Sequence, residues 1–134
     1  LWKAGMIAID RSAGGKAIRR LISGAAEAFA ENRPVVIFSE GTRRDPGAAP
    51  SYHPGIAAVY RGLGTPVVPV ALNSGVFWGR NAFAKRPGRI IIEFLEPIES
   101  GLDRRAFMVR LENRIETATR VLVQEAEDQE RIVG

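Results

Sequence analysis

The chain has 134 residues, 46% of them hydrophobic and 25% charged, enough for one compact domain with its own core, too few for two ordinary domains and too apolar for a disordered tail. With no cysteine and a single histidine, disulfide frameworks, thiolate metal sites and multi-histidine metal sites are excluded, and no metal or cofactor is expected. The net charge of +4 and an isoelectric point near 10.1 favour an anionic partner, which phosphate esters, phospholipid headgroups and nucleic acid would each satisfy.

Residues 5–9, ended by Asp10-Arg11, read as a buried strand and a polar turn. Gly14-Gly15-Lys16 lacks the spacing of a nucleotide-binding loop and reads as a helix start. Over residues 16–32, Ile18, Leu21, Ile22, Ala25, Ala26 and Phe29 recur at three- and four-residue steps, which predicts an amphipathic helix stopped by Pro34. Residues 35–38 form a second strand-like run that leads into a long loop over 39–51, with Asp45-Pro46-Gly47 and Pro50 as its turn residues. A short helix over about 55–61 follows, closed by Gly62 and Gly64.

A third strand is predicted over residues 67–72, with Pro69 placing it near an edge or a bulge. Residues 73–88 read as a loop with apolar interruptions. Residues 89–94 read as a fourth strand, whose unbroken Ile90, Ile91 and Ile92 predict cover on both faces. Pro97 ends it, and Asp103 is the expected N-cap of a long terminal helix with Phe107, Leu111, Ile115, Ala118 and Leu122 along one stripe. No apolar run approaches the roughly 20 residues that span a bilayer.

Strands alternating with helices in this order predict an α/β fold, a largely parallel sheet flanked by helices. Ligands of such sheets bind beyond the carboxyl ends of the strands. Those ends carry Asp10-Arg11, Glu40-Gly41-Thr42-Arg43-Arg44 and Asn73-Ser74-Gly75, so polar residues are expected along one rim. The richest is Phe38-Ser39-Glu40-Gly41-Thr42-Arg43. Gly41 permits a tight turn that brings backbone N–H groups close to an anion, Thr42 adds a hydroxyl, and Arg43 offers a planar fork matching two phosphate oxygens. Glu40 is expected to hold Arg11 or Arg43 in place. A solvated turn with an ordinary surface Glu–Arg pair fits the same residues equally well.

Three blocks carry a family resemblance. Gly5-Met6-Ile7-Ala8-Ile9-Asp10-Arg11, Phe38-Ser39-Glu40-Gly41-Thr42-Arg43 and Val68-Pro69-Val70 with Asn73-Ser74-Gly75 resemble, in order, the second, third and fourth sequence blocks of the glycerolipid acyltransferases. The stretch from Phe77-Trp78-Gly79-Arg80 to Ile98 also looks like bacterial members. The resemblance implies transfer of a fatty acyl group from acyl-CoA or acyl-carrier protein to a hydroxyl of 1-acyl-glycerol-3-phosphate (lysophosphatidic acid), giving phosphatidic acid in phospholipid biosynthesis. It implies that Arg11, Glu40, Gly41, Thr42 and Arg43 bind the phosphate of the acceptor and that Pro69 lies on the acyl-donor side. It further implies work at a membrane surface, on the cytoplasmic face of the inner membrane, and no nucleic acid.

The sequence departs from the family at one point. The first family block is His-x-x-x-x-Asp, a general base with its orienting carboxylate, whereas the only histidine here, His53, is followed five residues on by Ala58. The chain starts at Leu1, and the expectation is that it forms the C-terminal part of a single acyltransferase domain, with the catalytic dyad upstream and no transferase activity of its own. His53, in Tyr52-His53-Pro54-Gly55, is either a proton donor to a bound phosphate or, more simply, an exposed loop histidine. Arg80, Lys85, Arg86 and Arg89, near Phe77, Trp78 and Phe83, form either a lipid-docking loop or a basic solubilising loop whose aromatics tuck into the core. The alternative to an enzyme is a non-catalytic phosphate- or nucleic-acid-binding module, although no helix-turn-helix, KH or RRM signature is present.

Overall fold

A computed structural model describes residues 7, 14–41, 47–79 and 83–133. The elements run α1 (Gly15–Ala30), α2 (Gly55–Leu63), β1 (Val70–Leu72), α3 (Ser74–Phe77), β2 (Ile92–Phe94) and α4 (Arg104–Val133). The expected strand over 5–9 lies outside the described residues, apart from Ile7, whose side chain packs against Gly24 of α1.

Helix α1 begins after Gly14, held at φ 51. Its end is set by Asn32 rather than by Pro34. Asn32 sits at φ 56, its N–H donates to Phe29 O and the Arg33 N–H to Ala28 O, both at 2.9 Å. Those two bonds make a Schellman closure, which an asparagine tolerates at the left-handed position. The inward stripe also shifts by one step from the expected one: Ala25 and Ala28 are buried while Ala26 and Phe29 face outward. Helices α1 and α2 meet through glycines. A Cβ on Gly62 would lie 2.7 Å from Ile22 Cδ1, and one on Gly55 would lie 3.8 Å from Ile18 Cγ1, so two isoleucines of α1 rest on the smallest surface of α2. Gly64, at φ 60, caps α2 with its N–H on Tyr60 O at 3.1 Å, close to the predicted end.

The main core forms where α2 crosses α4. Ala57, Tyr60, Ile98, Phe107 and Leu111 are all buried together, and the Tyr60 and Phe107 rings lie nearly parallel with centroids 3.9 Å apart. Asp103 caps α4 as expected: its Oδ1 accepts the Ala106 N–H at 2.9 Å. Phe107, Leu111 and Leu122 of the anticipated stripe are buried, and the stripe extends one turn further to Ala126. There α4 meets α3, and Val76, Phe77 and Ala126 form a second cluster.

The sheet differs from the expected parallel arrangement. Among the described residues it has two strands, β1 and β2, paired antiparallel with Val70 opposite Phe94 and Leu72 opposite Ile92, plus an antiparallel bridge between Val67 and Ile98. A parallel pair needs a crossover long enough to return the chain to the same end of the sheet, usually through a full helix. Among its described residues the segment between β1 and β2 holds the single turn α3, and the chain doubles back. Residues 35–38 form no strand among the described residues. The run of isoleucines is likewise not covered on both faces: Ile90, Ile92 and Phe94 are 52%, 60% and 74% exposed, whereas Ala71, on the opposite side of the ladder, is fully buried on the side where α4 packs.

Asn73 was expected on a polar rim, and it is buried instead, 1% exposed. Its Oδ1 accepts the Ile91 N–H at 2.9 Å and its Nδ2 donates to Arg89 O at 3.3 Å. The amide thus continues the ladder where β1 ends, fixing the return of the chain. Asn73→Ala leaves the part-buried Ile91 N–H without its acceptor and is expected to cost about 1–3 kcal/mol in urea unfolding; a midpoint matching the parent chain would mean water replaces the amide without penalty.

Candidate functional site

The site residues belong to the segment after residues 35–38, where an apolar run gives way to Ser39-Glu40-Gly41. The Gly41 N–H donates to Phe38 O at 3.0 Å and Gly41 itself takes φ 64, a conformation that costs a side-chain-bearing residue free energy and glycine almost none. The tight turn anticipated at Gly41 is therefore present. Thr42, Arg43 and Arg11 lie outside the described residues. The structure accordingly describes two of the five expected phosphate-site residues, Glu40 and Gly41, and these are adjacent in the chain.

Two hydrogen bonds tie the far end of the loop back to its start. Glu40 Oε1 accepts the Ser51 N–H at 3.1 Å, and Ser39 O accepts the His53 N–H at 2.8 Å. The arginines expected beside Glu40, Arg11 and Arg43, lie outside the described residues; the contact described is with Ser51, and it closes the loop across eleven residues of chain. Carboxylate-to-amide closure of this kind brings residue 51 back beside the start of the loop.

Tyr52 anchors the loop base to the rest of the fold. Its hydroxyl donates to Glu116 Oε1 on α4 at 2.9 Å, and its ring packs against the main core. Burial, followed by the hydrogen bond to Glu116 and the charge of that carboxylate, pushes the Tyr52 phenol well above its ordinary value of 10.0; Glu40 adds to the rise and a hydrogen bond with Ser39 opposes it. Tyr52 thus lies between the two residues that open the loop and the long helix, and nothing in the sequence flagged it. The signal was weak: a tyrosine just before a helix, and a glutamate beside Ile115 on the predicted stripe.

The raised value has a consequence at alkaline pH. The fold prefers the protonated phenol, so its contribution is fully present below the unfolded-state value near 10 and is lost as pH rises beyond it, because the unfolded chain gives up the proton first. The urea midpoint should fall as pH climbs through about 10, and Tyr52→Phe should flatten that decline while losing about 1 kcal/mol at neutral pH. Equal alkaline slopes in the two proteins would remove Tyr52 as the cause.

His53 is exposed, and its Nδ1 accepts the Gly55 N–H at 3.2 Å, so the ring closes the first turn of α2. Pro69 is fully buried, its carbonyl accepting the Leu95 N–H at 2.9 Å; it interrupts the ladder between the Val67 bridge and β1. In the basic segment the two readings divide by residue. Phe77 tucks into the core, Trp78 is 42% exposed and Phe83 is wholly exposed, and Lys85 Nζ sits 4.2 Å from the Trp78 ring centroid. No helix among the described residues is long and apolar enough to cross a membrane.

Comparison with known proteins bears on the same segment. The family model described as "Acyltransferase" matches residues 1–73. A 1-acyl-sn-glycerol-3-phosphate acyltransferase of Pseudomonas aeruginosa is 38% identical over 84 residues, 63% of this chain and 33% of that protein. One of Cocos nucifera is 29% identical over 93 residues, 69% of this chain and 30% of its own length. The aligned stretch therefore spans about a third of each curated relative. No solved structure matches the chain.

Proposed function

The chain belongs to the acyltransferase family, and on that footing we propose that it supplies the acceptor-binding part of an O-acyltransferase that converts 1-acyl-glycerol-3-phosphate to phosphatidic acid in phospholipid biosynthesis. The observation that carries this reading is the family match across residues 1–73, which contains Arg11 and the whole Glu40-Gly41-Thr42-Arg43 turn; the names of the two relatives support the choice of acceptor.

In the reaction, the acceptor hydroxyl attacks the thioester carbonyl of acyl-CoA or acyl-carrier protein. A C–O ester bond forms, the C–S bond breaks, the hydroxyl proton passes to a general base and the thiol leaves. The part proposed for this chain is to hold the acceptor phosphate so that the hydroxyl is already oriented, an entropic contribution to rate. Arg11 and Arg43 are the expected charge partners of that phosphate, with Thr42 and the amides around Gly41 as neutral donors. Glu40 keeps the loop closed through Ser51. Pro69 is proposed for the acyl-donor side. The general base is not among these 134 residues, since His53 is followed by Ala58 at the position where the family block needs aspartate. The acceptor resides in a bilayer, so the proposed location is the cytoplasmic face of the inner membrane, with exposed Phe83 and the neighbouring basic residues meeting the lipid surface.

The test is phosphate dependence of acceptor binding by the 134-residue chain. Calorimetric titration with lysophosphatidic acid should give an affinity at least about tenfold above that for the matching monoacylglycerol, the difference expected for a charged hydrogen-bonding group. Equal affinities for the two lipids would defeat the proposal.

A further inference from the structure

A cationic cleft lies where α2 ends and α4 begins. It has a volume of about 550 Å³ and is lined by Arg61, Asp103, Arg104, Arg105, Met108 and Val109. Arg61 stands on the last turn of α2, and Arg104 and Arg105 open α4. Their convergence is built into the fold. Tyr60, next to Arg61, stacks on Phe107, next to Met108, and the Tyr60 hydroxyl donates to Glu99 O at 2.5 Å while accepting the Leu102 N–H at 3.1 Å. The two arginine-bearing helix ends are therefore locked together by a buried ring pair and a hydroxyl that holds the connecting turn.

The charge in the cleft is unbalanced. Three exposed arginines and one exposed carboxylate, Asp103, line it, and Asp103 Oδ1 accepts the Ala106 N–H. No ion pair to any of the three arginines is found among the described residues. Clustering like charges without a counter-charge opposes folding, and a bound anion relieves that repulsion. Beside the arginines the wall is apolar: Met108 is half-buried and Val109 is 53% exposed. Guanidinium forks match phosphate oxygens, and a thioether and an isopropyl group alongside them suit a short hydrocarbon chain.

We propose that this cleft binds a phosphate monoester carrying an alkyl chain, with the phosphate on Arg61, Arg104 and Arg105 and the chain over Met108 and Val109. It is separate from the Tyr52–Glu116 contact at the base of the loop of residues 39–53. That loop joins α4 at Glu116, and the twelve residues from Arg104 to Glu116 span about 18 Å of helix.

The chain has two methionines, Met6 and Met108, so a methyl-labelled sample gives two methionine signals, with Met108→Leu assigning the one in the cleft. Titration with monomeric octyl phosphate should move the Met108 signal saturably, and the triple variant Arg61→Gln, Arg104→Gln, Arg105→Gln should weaken that binding by about tenfold or more. Glutamine keeps side-chain length and helix propensity; should the triple variant lose its helical circular dichroism, Arg61→Gln alone, an exposed change, decides by a smaller loss of affinity. Inorganic phosphate should bind more weakly and octyl glucoside should leave the signal in place. A Met108 signal that ignores octyl phosphate, follows octyl glucoside as readily, follows inorganic phosphate with equal affinity, or is indifferent to the arginine changes would overturn the assignment.

Discussion

Replacing Phe107 with alanine should lower the unfolding free energy by about 3–5 kcal/mol, the range for deleting a large aromatic from a closed core. Phe107 is fully buried, its ring lies 3.9 Å from that of Tyr60, and it shares a cluster with Ala57, Ile98 and Leu111. These residues come from α2, the β2–α4 connection and α4, so no neighbour can collapse into the space without moving a whole element. Domains of this size hold only about 5–15 kcal/mol in total, and the variant should unfold at much lower urea concentration by circular dichroism. Phe107→Leu keeps most of the volume and should cost much less, about 1.5 kcal/mol or so. If alanine and leucine gave the same midpoint, the cluster would not be the centre of stability.

The same cluster explains which parts of the fold were legible in the sequence. Phe107, Leu111 and Leu122 recur at helical spacing, Asp103 stands one position before the first turn, and Gly64 follows the last turn of α2; each signal is local, so each element could be read from its own residues. Strand direction is not local. It depends on whether the chain between two strands crosses over or returns, and here that was decided by Asn73, whose amide reaches Arg89 and Ile91. A buried asparagine at the end of an apolar run looks in sequence like a polar rim residue. The candidate site divides in the same way. The turn at Gly41 was legible because its backbone geometry favours glycine, whereas the tie from Tyr52 to Glu116 spans 64 residues and no periodicity relates its partners.

Arg43→Ala should weaken lysophosphatidic acid binding by about 10–100-fold, the equivalent of one lost charge-assisted hydrogen-bonding group, and leave monoacylglycerol binding and the urea midpoint unchanged. Such a pattern would separate a ligand contact from a structural one, because the loop base is held by Glu40, Ser51, His53 and Tyr52. Arg11→Ala should give a loss of the same size. The decisive measurement is the double variant. Two guanidinium groups that grip one phosphate share its oxygens and its charge, so removing the second after the first should cost a different amount from removing it alone, a coupling of 0.5 kcal/mol or more by order of magnitude. Strictly additive losses would mean that Arg11 and Arg43 serve different anions, and a single acceptor headgroup between them would no longer be tenable.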